Sequence, residues 1–73
     1  MFEELKITLV FADVIINTHG FYLTITLTSK NDPEIQTAST LPTDDGHFNE
    51  QRIGEVLKFE RARLLTLIRN NTP

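Results

Sequence analysis

The sequence predicts an α+β domain: a small antiparallel three-stranded sheet in β-β-β-α order, with one C-terminal helix packed on one face. Three observations carry that prediction. Residues Phe21 to Thr28 alternate strictly between apolar and polar side chains. The stretch Leu9 to Thr18 before them is apolar enough to pair with them across a turn. Residues 49–70 place apolar side chains at helical spacing behind a good N-cap. All 73 residues read as one domain, with the sheet over 1–41, a loop over 42–48, the helix over 49–70 and a tail over 71–73.

The hairpin comes first. Phe21, Leu23, Ile25 and Leu27 alternate with Tyr22, Thr24, Thr26 and Thr28, the pattern of a strand with one buried face. If His19-Gly20 is the two-residue loop, Thr18 opposes Phe21, Ile16 opposes Leu23, Val14 opposes Ile25 and Ala12 opposes Leu27. Glycine adopts positive φ freely and histidine is enriched there, which suits a primed turn. A three-residue loop would instead set Asp13 beside Ile25 on the core face, where an unpaired carboxylate is costly. The preferred register leaves Asp13, Phe11 and Ile15 on the second face with Tyr22, together with Ile7 and Leu9 unless a β-bulge near Leu9-Val10 returns Leu5, Ile7 and Leu9 to the core side beside Ala12, Val14 and Ile16.

The remaining elements follow in order. Asn31-Asp32-Pro33 reads as a turn, and Ile35 to Leu41 as a weak third strand stopped by Pro42. For the helix, Asn49 is the N-cap, Glu50 complements the positive end of the dipole, and Phe48 is placed to staple onto Ile53. Its apolar stripe is Ile53, Val56, Leu57, Leu64, Leu67 and Ile68, with Glu60 as the one misfit. Phe59, Ala62 and Leu65 form a partial second stripe. Arg69 and Asn70-Asn71 end the helix.

Composition narrows the function classes. A chain of this length buries only about 60 % of its unfolded surface, and domains below roughly 70–80 residues usually add a disulfide, a metal or a partner subunit to a single core. With no cysteine and only His19 and His47, disulfides and thiolate metal sites are excluded and a structural zinc lacks ligands. A second protein chain is the supplement that remains. The opening MFEELK is acidic where a signal peptide would be basic, and the longest apolar run is too short to span a bilayer, so a cytoplasmic protein of a bacterium or infected host cell is expected. Residues 1–47 hold two lysines against seven acids, a net −5, and residues 48–73 hold five cations against three acids, a net +2. Neither charge density is that of a dedicated DNA-binding surface.

Each candidate site has an ordinary reading beside it. Glu60 sits in an apolar stripe; it either lies at the rim of the core with its head in water or near Arg61 or Arg63, or acts as a polar specificity element in a subunit or partner interface. Asp44, Asp45, His47 and Glu50 cluster in sequence but lack the order of an EF-hand, so a solvated loop is expected and no metal or cofactor. Thr24, Thr26 and Thr28 are similar to one row of an ice-binding array, yet threonine on an exposed strand face is explained by β-propensity alone. Arg52, Lys58, Arg61, Arg63 and Arg69 could contact nucleic-acid phosphates; interspersed glutamates favour a solvated helix with pairs such as Glu55–Lys58. Ser29 and Ser39 have no histidine placed by local spacing to activate them, so no enzyme is expected.

The expected function is that of a small non-enzymatic interaction protein and homodimer. It binds through the uncovered sheet face or an exposed strand edge, with Phe11, Ile15, Tyr22, Phe59 and Leu65 as interface residues. Compact, cysteine-free domains of this type include inhibitors and modulators made by phages and other mobile elements, which is an analogy of class only. A nucleic-acid-associated regulator using the basic helix is the alternative.

Overall fold

The computed structural model describes residues 2–43 and 49–71, the side chains of residues 2 and 3 left aside. The chain forms strands β1 (Phe2–Thr8), β2 (Ala12–His19), β3 (Tyr22–Ser29) and β4 (Gln36–Pro42), followed by helix α1 (Glu50–Asn70). The strands make one antiparallel sheet in the order β1-β2-β3-β4, each pairing with the next in sequence. The α+β class stands, with four strands rather than three.

The extra strand arises because the expected long first strand reverses at Val10-Phe11. The Leu9 N–H donates to the Ala12 carbonyl at 2.8 Å, and Ile7 and Leu5 then fall opposite Val14 and Ile16. A turn, not a β-bulge, therefore moves Leu5, Ile7 and Leu9 to the core side. Phe11 is corrected with them: it is half-buried and packs on the core cluster instead of standing on the second face.

The β2–β3 loop is Gly20-Phe21, not His19-Gly20. Gly20 has φ +63, and no other described residue has a positive φ, so the glycine occupies the first central position and Phe21 the second, as in a type II′ turn. A Cβ on Gly20 would meet nothing within 4 Å, so the backbone angle alone calls for glycine there. The register moves by two residues: Ile16 opposes Ile25, Thr18 opposes Leu23, Ile15 opposes Thr26 and Asp13 opposes Thr28. A shift of two leaves every side chain on the face where alternation put it. Only Phe21 changes place, standing 68 % exposed in the turn.

The inner face of the sheet supplies Ala12, Val14 and Ile16 from β2 and Leu23, Ile25 and Leu27 from β3, and Ile53 and Leu64 of α1 close over them. Each fully buried side chain of this size contributes about 1.5–3 kcal/mol. The outer face is polar: Glu4, Lys6 and Thr8 continue across β2 through Asp13, Ile15 and Asn17 to the threonines of β3 and Gln36, Ala38 and Thr40 of β4. Ile15 and Tyr22 are its large exposed apolar groups among the described side chains. A polar, solvated outer face removes most of the apolar surface expected there.

The turn before β4 follows expectation: the Glu34 N–H donates to Asp32 Oδ1 at 3.2 Å and the Ile35 N–H to the Asp32 carbonyl at 2.9 Å. Helix α1 is capped by Asn49, whose Oδ1 accepts from the Arg52 N–H at 3.1 Å, and ends at Asn71, whose Nδ2 donates to the Leu67 carbonyl. The staple from Phe48, and the cluster at Asp44, Asp45 and His47, lie outside the described residues.

Candidate functional site

β4 is the polar strand of the sheet. Alternation points Thr37, Ser39 and Leu41 toward the helix, so two of its three inner positions are hydroxyls. Glu60, the misfit of the helical stripe, is the group that meets them. It is completely buried, contrary to a place at the solvated rim. Its Oε1 accepts from the Ser39 hydroxyl at 2.5 Å and from Arg63 Nη1 at 3.0 Å, and Nη1 also reaches Oε2 at 3.3 Å. Thr37 is buried beside the same carboxylate at a geometry short of a full hydrogen bond.

Burial pushes the Glu60 carboxyl up. Hydrogen bonding from Ser39, Thr37 and Arg63, together with the Arg63 charge, outweighs that and holds the carboxyl below its ordinary value. Arg63 remains half exposed, so it acts as a charged lid over an occluded carboxylate. The polar misfit of the helix thus finds its partners within its own chain. Its chemistry is that of a joint: a charge-assisted cross-link that sets the helix on β4.

The helix backbone runs over β3 and β4 and does not come close to β1. The inner face of β2 is buried in one cluster with the inner face of β3 and with Ile53 and Leu64 of α1, but β1 lies beyond the roof. Leu5 is 44 % exposed on the face that is core elsewhere, and Ile7 and Leu9 beside it are half-buried. A surface laid against the inner side of β1 would shelter all three side chains of this row.

The expected interface residues separate in space. Ile15 and Tyr22 share the outer sheet face, Phe11 lies on the inner side, and Phe59 and Leu65 face solvent from the helix, 63 % and 38 % exposed. The basic residues separate as well. Arg63 is held by Glu60 and Arg52 donates to the Pro42 carbonyl at 3.3 Å, while Lys58, Arg61 and Arg69 are exposed. Among the described residues the expected Glu55–Lys58 pair does not form, and the surface pair present is Lys6–Glu4 at 3.6 Å. A shallow groove of about 330 Å³ along the helix is lined by Ala62, Arg63, Thr66 and Leu67, and its one charged group is already committed to Glu60.

Sequence reasoning placed Leu5 on the core side only by way of a β-bulge and did not count it among the interface residues. Its signal was present in the alternation of Glu4, Leu5, Lys6, Ile7, Thr8 and Leu9, which marks a strand of its own. No described cluster of three or more His, Asp or Glu side chains is arranged to hold a metal ion, and no described helix is long and apolar enough to cross a membrane. Comparison with protein-family models, curated proteins and solved structures returns no match.

Proposed function

We propose that this chain is a small, non-enzymatic interaction protein of the cytoplasm, of the kind mobile elements use as inhibitors or modulators. It binds a protein partner or a second copy of itself along the β1 side of its sheet. The support is Leu5: a leucine on the core face of the sheet, 44 % exposed because α1 lies over β3 and β4. A partner that covers Leu5, Ile7 and Leu9 removes apolar area from water without disturbing the existing core.

The test compares two single charges. Leu5→Asp is expected to weaken binding, or self-association measured by light scattering, by about tenfold or more, with circular dichroism unchanged. Ile15→Asp, on the polar outer face, is expected to leave binding intact. The opposite pattern would move the binding surface to the outer face, and unfolding of Leu5→Asp would assign the row to the core.

Nucleic-acid binding is the weaker alternative, because two of the five helical cations are occupied and Lys58, Arg61 and Arg69 are left to carry it. Binding through phosphates falls by orders of magnitude between about 50 and 200 mM salt, whereas an apolar interface barely responds.

A further inference from the structure

We infer that β1 pairs with β1 of a second copy: two chains join antiparallel about a two-fold axis at Leu5, uniting two four-stranded sheets into one continuous sheet with both helices on the same face. This pairing rests on the interaction role proposed above and names its partner and its mode, strand addition at a free edge.

The backbone comes first. β1 is an edge strand. Its hydrogen-bond phase is set by the Leu9 N–H donating to the Ala12 carbonyl, since bonded and non-bonded pairs alternate along an antiparallel ladder. Leu5 and Ile7 therefore turn their backbone groups toward β2, while Phe2, Glu4, Lys6 and Thr8 turn theirs outward. A second strand finds four residues with open donors and acceptors. The other edge, β4, offers less: its outward set ends in Pro42, which has no N–H.

The register follows from two independent requirements that agree. Full overlap of β1 (Phe2–Thr8) with its own copy puts the axis at its middle residue, Leu5. That register sets Glu4 opposite Lys6 of the second copy, and Lys6 opposite its Glu4, as hydrogen-bonded pairs on the outer face. Sliding by two residues in either direction shortens the ladder and brings Lys6 against Lys6 or Glu4 against Glu4. Like charges directly opposite are unfavourable and unlike charges favourable, so the strand is charge-complementary to itself in one register. A lone edge lysine opposes pairing; Glu4, already 3.6 Å from Lys6 within the strand, gives that lysine an answering charge in the second copy. On the inner face the two Leu5 side chains meet at the axis, beyond the reach of either helix.

The chain has no cysteine, so one introduced thiol reports the axis. Residues facing each other at a non-bonded antiparallel position have Cα atoms about 4.5 Å apart, within disulfide range. Leu5→Cys is expected to oxidise to a covalent dimer under mild conditions, and Ile15→Cys, on the outer face of β2 and away from the axis, to form no covalent dimer. Light scattering of the unmodified chain from about 10 μM to 1 mM is expected to pass from monomer to dimer. Glu4→Lys and Lys6→Glu, both at exposed side chains, are each expected to weaken that dimer at least tenfold; mixing the two variants, or combining them in one chain, is expected to restore it. A monomer at every concentration overturns the pairing. So does a dimer that Leu5→Cys fails to cross-link, or one that the charge exchange leaves unaltered. In those cases the broader interaction role stands if Leu5→Asp still abolishes binding of a different protein, and falls if it does not.

Discussion

The two edges of the sheet are finished in opposite ways. β4 points hydroxyls inward and is roofed by α1; β1 points Leu5 and Ile7 inward and has no roof. Greasiness alone would have reversed the assignment. Connectivity explains it: the helix follows β4 after the short segment 43–49, and consecutive elements joined by a short connection settle beside each other. A helix so placed must accommodate a polar strand, and Glu60 lets it do so by accepting from Ser39 while Arg63 balances its charge. The apolar deficit is displaced to the far edge, where β1 is left for another molecule to cover.

The comparison breaks most visibly if the roofed and bare sides respond alike to truncation. Leu64→Ala, in the closed half, is expected to cost about 2–5 kcal/mol by urea denaturation, while Leu5→Ala is expected to change the monomer by well under half of that. Equal losses would mean that β1 belongs to the core.

A smaller effect sharpens the polar side. Glu60→Leu strands the Ser39 hydroxyl without its acceptor and removes the carboxylate beside the buried Thr37 hydroxyl, and a loss of about 1–3 kcal/mol is expected. Adding Thr37→Val and Ser39→Ala should recover that loss or exceed it, since a well-packed apolar replacement of a buried ion pair is often neutral or stabilising. If the triple variant is instead no better than Glu60→Leu, the polar joint is not what makes Glu60 necessary.

The smallest effect is in pH. The Glu60 carboxyl is held below its ordinary value in the folded chain, so the folded state binds its proton less readily than the unfolded state does. Its stabilisation is fully present above the unfolded pKa of about 4.3 and is lost as pH falls through the lower folded value. Thermal melts of the parent should therefore drop more steeply below that pH than those of Glu60→Gln. Parallel curves would remove Glu60 from the acid response.

Much of this was readable in advance, for identifiable reasons. The helix is legible to within a residue because its stripe and the Asn49 cap are local signals. β3 is legible from strict alternation, and the turn at Asp32 from turn chemistry. The reversal at Val10-Phe11 escaped because two apolar residues carry no turn signal; Val10 stands 96 % exposed there, where burial would have been presumed. The hairpin register was displaced by two because Gly20 can take either the second or the first central seat of the turn, pairing with His19 or with Phe21, and only the fold decides which. Of the candidate site, Glu60 was visible as a misfit, but its partner Ser39 is 21 residues distant.

By itself, the order of residues determined which side chains share a face, where the helix begins and ends, and that an acid would stand among its apolar residues. Those are consequences of periods of two and 3.6 and of capping chemistry, all of which act within a few residues. Only the tertiary structure decided that α1 covers the hydroxyl-lined edge, that Glu60 is satisfied by its own chain, and that Leu5 is left bare. These depend on which strands a short connection allows the helix to reach, and a local pattern holds no record of that distance.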